Sequence, residues 1–303
     1  MNEARRVRIV PLLAACLLLP VSCAHAPPPA VITWNKIAAM PVPPADHRIA
    51  YGNDSLQFGE LRLPDGPGAH PVVIVIHGGC WRAEYDVKHV GPLSAALTAN
   101  GIATWTPEYR RIGNDGGGWP GTFEDVARGA DFVRELASRY PLDLKRVVTL
   151  GHSAGGHLAL WLAARKNLPR ASVLYSADPL PVSGVVSLAG ITDLRAYSAG
   201  AGYCNASAVL LMGGAPDSVS DRYAQASPIE LLPLGVPVSL VHGSLDKVVP
   251  AEQSREFSSR AAARGDQVRF VNVEGAGHFD LISPDAGAWA EVENAVVDLV
   301  GRR

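Results

Sequence analysis

Val72-Val73-Ile74-Val75-Ile76 is a run of five β-branched residues with no polar residue among them. Such a run cannot alternate between core and solvent. It predicts a strand buried on both faces, in a sheet that helices cover on both sides. The rest of the chain supplies the partners by alternation. Strands are expected at 102–105, 146–150, 184–188, 237–243 and 268–273, and helices at 122–140, 156–164, 251–264 and 289–300. Residues 51–63 read as an opening hairpin. The fold class expected is α/β, a mostly parallel central sheet flanked by helices.

In a sheet of this kind the carboxyl ends of the strands share one edge, where distant residues converge. Three sequence features fall at such ends. Gly151-His152-Ser153-Ala154-Gly155 lies between a short β-branched strand and an Ala/Leu-rich helix. A serine flanked by small residues at a strand-to-helix turn is a nucleophile elbow, which pushes the hydroxyl out above the sheet. The buried strand at 72–76 runs into His77-Gly78-Gly79-Cys80-Trp81. Glycines there let backbone N–H groups face a pocket, which suits an oxyanion hole made by the amides of Gly79, Cys80 and Ala154. Asp246 and His278 each follow a later strand, in the chain order Ser…Asp…His. The expected roles are Ser153 as nucleophile, His278 as base, and Asp246 as the acid that orients the imidazole. Asp193, after the 184–188 strand, is a second candidate for the acid.

These motifs resemble the α/β-hydrolase superfamily, across residues 46–303. The His-Gly-Gly-Cys-Trp turn departs from the His-Gly-Gly-Gly of hormone-sensitive-lipase-like esterases. It is similar to the His-Gly-Gly-x-Trp of kynurenine formamidases and feruloyl/acetyl-xylan esterase-like hydrolases, and Gly151-His152-Ser153-Ala154-Gly155-Gly156-His157-Leu158 fits that branch too. The resemblance implies a serine hydrolase with no metal and no cofactor, and it leaves the substrate open. It also implies a small cap over the site in the irregular segment 192–233. Tyr197 and Tyr203 from that segment, with Trp81, are candidates for the substrate pocket. His77 is expected to brace the oxyanion turn, and the glycine-rich 113–118 segment to be a loop beside the site.

The N-terminus predicts export. Arg5, Arg6 and Arg8 precede an apolar stretch at 9–21, too short for a membrane span, then small residues and Pro27-Pro28-Pro29. Residues 1–26 are therefore expected to be a signal peptide and 27–45 a Pro-rich linker. Leu19-Pro20-Val21-Ser22-Cys23 resembles a bacterial lipobox, which makes Cys23 the lipidation candidate, in competition with simple cleavage after Ala26. The expected location is exported: periplasmic, anchored to the outer membrane through that lipid, or secreted. Within the catalytic part only Cys80 and Cys204 remain, one pairing that an oxidising compartment permits and that the sequence leaves open.

A net charge of −2 without a basic stripe argues against nucleic acid as partner. The expected partner is a small-molecule ester or amide. Carboxylic ester hydrolysis through an acyl-enzyme is the leading reading. The alternatives are an arylformamidase-like amide hydrolase, a dipeptidyl-peptidase-like peptidase, and an inactive hydrolase-fold binding module.

Overall fold

The computed structural model describes residues 31–301; the stretch expected to be a signal peptide, with Cys23, lies outside the described residues. An eight-stranded sheet runs in the order β1-β2-β4-β3-β5-β6-β7-β8. The strands are β1 (His47–Ala50), β2 (Phe58–Arg62), β3 (His70–Ile76), β4 (Ala103–Pro107), β5 (Leu142–His152), β6 (Gly184–Leu188), β7 (Val238–Gly243) and β8 (Val268–Val273). The first two form the antiparallel edge and the others pair in parallel. Val72 to Ile76 lie at the centre with no exposed surface, because β3 is flanked by β4 and β5 and roofed on both faces.

The helices are α1 (Trp34–Ala38), α2 (Gly91–Ala99), α3 (Gly121–Asp131), α4 (Val133–Ala137), α5 (Ala154–Ala164), α6 (Leu194–Ser198), α7 (Tyr203–Met212), α8 (Ser220–Ala226), α9 (Glu252–Ala263) and α10 (Trp289–Val300). One apolar cluster gathers α3, α5, the α6–α8 segment and α9 on one face of the sheet. A second gathers α1, α2 and α10 on the other. The helix expected at 122–140 is divided at Phe132 into α3 and α4.

The Pro-rich stretch expected to be a linker is packed onto the body from Ile32 onward. Ile32 and Ile37 are buried, and the Ile32 N–H donates to Asp280 Oδ2 at 3.0 Å. Trp34 of α1 stacks on His89 with ring centroids 5.1 Å apart. Three apolar anchors outweigh the extended preference of the surrounding prolines.

Candidate active site

The strand β5 ends at His152, and the next residue begins the turn into α5. Ser153 has φ 57° and ψ −121°, a backbone conformation that costs free energy for any residue with a side chain. Two close approaches impose it: a β-carbon at Gly151 would come 2.0 Å from the Gly155 carbonyl oxygen, and one at Gly155 would come 2.1 Å from that of Ile76. The Ser153 N–H donates to the Leu188 carbonyl at 2.8 Å, which ties the elbow to β6. Ala154 opens α5, so its own N–H has no acceptor within the helix.

The Gly79-Cys80-Trp81 turn after β3 takes positive φ at all three residues, 102°, 53° and 57°. His77 braces it from beneath. Its Nδ1–H donates to the Gly78 carbonyl at 2.8 Å, and its Nε2 meets Glu108 Oε1 at 3.0 Å. Glu108 is a hub that the sequence reading missed. It also accepts the Val87 and Tyr109 N–H groups and pairs with Arg111 at 2.8 Å. Burial alone would raise the Glu108 carboxyl. The charge and hydrogen bond of His77, with Arg111 and the Tyr109 N–H, outweigh it and hold the group below its ordinary value. An acid and an arginine directly after a buried strand was the signal available for it.

Beyond β7, Asp246 is fixed by two amides: Oδ1 accepts from Val248 and Val249 at 2.7 and 2.9 Å. Its other oxygen lies 2.6 Å from His278 Nδ1, in the loop after β8. Burial would raise the Asp246 carboxyl. The His278 hydrogen bond and charge, and the two amides, more than offset it and keep it ionised below the usual range. Asp193 takes no part in this pair: it caps α6 by accepting the Ala196 N–H at 3.0 Å.

Ser153 and His278 open onto one cavity of about 150 Å³. Its walls are Tyr85, His89, Tyr203, Val248 and Phe279, with Gly79 and the Cys80–Cys204 disulfide. The two cysteines left open by the sequence are thus joined, and the bond links the turn after β3 to the first turn of α7. Of the three pocket candidates only Tyr203 lines the cavity. Trp81 is fully buried and donates its indole N–H to His157 Nδ1 at 3.2 Å. His157 in turn donates from Nε2 to the Ala226 carbonyl at 2.9 Å, which anchors the end of α8. Burial lowers His157 to about 4, so it serves as a neutral relay of hydrogen bonds. Tyr197 is also buried, and its hydroxyl donates to the Val248 carbonyl at 3.1 Å, tying the cap to the loop that carries Asp246. A motif gives the position of a residue such as Trp81 and not the direction of its side chain.

The 113–118 loop contributes no residue to the cavity wall, and the Trp119 N–H that follows it donates to the Leu211 carbonyl at 2.7 Å. Leu211, Met212 and Tyr223 pack the cap onto the body. Two further residues near the site escaped the sequence reading. Trp34 packs against Phe279 and His89 lines the cavity beside it, the first from a stretch that looked like linker and the second from a 3-10 turn (Val87–Val90) with no motif.

Comparison with known proteins gives a consistent result. The BD-FAE family model matches residues 61–261. Esterase LipC of Mycobacterium tuberculosis is 29% identical over 246 residues, covering 78% of this chain and 60% of LipC. This chain spans about three fifths of the length of the curated relatives it matches. Among solved structures, a truncated carbohydrate esterase from gut microbiota superimposes with a TM-score of 0.73 at 22% identity, over 86% of this chain and 99% of that one. A bifunctional GH43-CE protein of Bacteroides eggerthii gives 0.69 at 26% identity, over 84% of this chain and 37% of that one. These matches carry the α/β-hydrolase fold.

Proposed function

This chain belongs to the BD-FAE family, and we propose that it is an exported serine hydrolase that cleaves small carboxylic esters through an acyl-enzyme intermediate. One observation carries the reading: Ser153 and His278 share a cavity, with the Asp246 carboxylate 2.6 Å behind the imidazole. Ser153 Oγ attacks the ester carbonyl while His278 Nε2 takes its proton. Asp246 keeps the other nitrogen of the ring protonated and stabilises the imidazolium. Negative charge building on the carbonyl oxygen is met by the N–H groups of Gly79, Cys80 and Ala154. His278 then gives its proton to the departing alcohol. Water, deprotonated by the same ring, releases the acid and restores Ser153. The name of LipC, an esterase, supports esters over amides.

A cavity of about 150 Å³ has room for about five water-sized groups. Acyl groups of about two to four carbons are contained within it, and longer ones extend beyond its walls. In a series of 4-nitrophenyl esters, kcat/KM should be highest for the short acyl groups that the walls enclose and should not rise for long chains, whose added methylenes find no wall to bury them. N-formyl kynurenine and peptide amides, tested alongside, should be turned over far more slowly. Faster turnover of either amide than of any ester would overturn the assignment to esters.

Export rests on the N-terminal charge and apolar pattern, with Cys23 as the lipid-bearing residue. Wild-type protein should partition with membranes and incorporate labelled fatty acid, and Cys23→Ser should do neither. A soluble mature protein beginning near Pro27 would replace lipid anchoring with simple cleavage.

A further inference from the structure

At the wall of the cavity, which His89 helps to line, two buried histidines form a chain of hydrogen bonds whose polarity can be deduced. His152 Nε2 lies 2.9 Å from the main-chain carbonyl oxygen of His278. A carbonyl only accepts, so His152 carries its hydrogen on Nε2. Burial, and then the neighbouring charge of His278, push His152 well below its ordinary value, so the ring is neutral and its Nδ1 is a bare acceptor. His89 Nε2 lies 2.9 Å from that Nδ1 and must be the donor. His89 Nδ1 is then a lone pair, and it is buried with no partner.

An unpaired buried acceptor is unfavourable, and an apolar ring would fill the same space without it. The useful feature of His89 is therefore the N–H it presents to His152. Its ring plane is fixed from several sides: Trp34 stacks on it at 5.1 Å, Tyr85 meets it edge-on at 6.1 Å, and a β-carbon on Gly78 would lie 3.0 Å from its Nε2. We propose that His89 is a positioning residue: by donating to His152 it holds that ring in one neutral tautomer, and through it the main chain of His278. The inference rests on His278 being the base of the proposed hydrolysis. The chain crosses three elements that have to stay in register: the 3-10 turn beneath the oxyanion glycines, the nucleophile elbow, and the histidine loop.

Neutrality matters as much as position. The His152 and His278 ring centroids are 4.4 Å apart. A proton on His152 would oppose the imidazolium that forms on His278 as it deprotonates Ser153. The titratable groups facing the pair are His278, His242 and Asp246 around His152, and His77 with its partner Glu108, and Tyr85, near His89. Of these Asp246 favours a charge on His152, and His278 already engages it.

Two substitutions separate hydrogen bonding from packing. His89→Phe keeps a ring against Trp34 and removes the donor. His89→Gln offers an amide N–H in its place. For His89→Phe, kcat should fall about 10- to 100-fold, as expected for a misplaced catalytic group, with KM little changed. The acid limb of its kcat–pH profile should move to higher pH, because the uncovered His152 Nδ1 takes up a proton more readily. His89→Gln should recover most of both. In the wild-type enzyme, imidazole 15N spectra should show His89 and His152 each protonated at Nε2 alone, a measurement that holds even if a variant fails to fold. A folded His89→Phe with wild-type kcat and pH profile, a His89→Gln as impaired as the phenylalanine variant, or an Nδ1-protonated His152 would each overturn the proposal. Ser153→Ala assayed in parallel distinguishes the premise: ester turnover surviving there removes the hydrolase reading itself, whereas an inert Ser153→Ala beside a fully active His89→Phe removes the positioning role alone.

Discussion

Ser153→Ala should lose on the order of 10⁶-fold in kcat, the loss expected when a nucleophile is removed from a triad that acts as a unit. Ser153 is the one serine among the residues that line the cavity, so none is placed to take over. The backbone there already holds a residue with a β-carbon at φ 57°. Alanine meets the same strain, and the variant should melt close to wild type. A fluorophosphonate probe should label the wild-type protein at Ser153 and leave the variant unlabelled. Labelling that persists in Ser153→Ala would assign the chemistry to another residue.

Asp246→Asn should cost about 10⁴-fold in kcat by analogy with the serine-protease acid, and the geometry here gives the reason. Oδ1 of Asp246 accepts two N–H groups, from Val248 and Val249. In the asparagine variant the carbonyl oxygen has to stay on those donors, which turns the NH₂ group toward His278. The ring is then forced into the tautomer with its hydrogen on Nε2, facing Ser153, where it cannot accept a proton. Asp193→Asn makes the contrasting control. Asparagine caps helices about as well as aspartate, so the cap on α6 survives and both kcat and the unfolding midpoint should barely move. An inactive but folded Asp193→Asn would place the acid on the wrong strand in this account.

Much of the fold could be read from apolar runs. The run at 72–76 demanded a central strand, and the limits of β6, β8 and α10 coincide with their expected ones, because continuous or strongly periodic apolar stretches leave little choice of ends. The strand β5 begins at Leu142, earlier than expected, since Asp143, Lys145 and Arg146 break the apolar pattern at its solvent-facing start. The packing of α1 was hidden by composition: Ile32, Trp34 and Ile37 stand among prolines, and Asp280, the hydrogen-bond partner of Ile32, lies 248 residues away. At the site, chain order and strand ends foretold the partnership of Asp246 with His278. Side-chain direction was not legible, which is why Trp81 and Tyr197 stood as pocket candidates although both lie in the core. Glu108 holds neighbours brought together by folding, and its one trace in the chain is an acid and an arginine after a buried strand; His89 has no motif around it.

The Cys80–Cys204 bond spans 124 residues. In the chain-entropy account, closing a ring that long restricts the unfolded chain by about 5 kcal/mol, comparable with the entire net stability of many domains. A newly made chain lacks this contribution until an oxidant reaches it. The reduced and oxidised proteins are then two forms of one sequence with different lifetimes, and oxidation becomes a maturation step. Under the export proposed above, that timing would leave the less stable form on the near side of the membrane, during transit, and the more durable one at its destination.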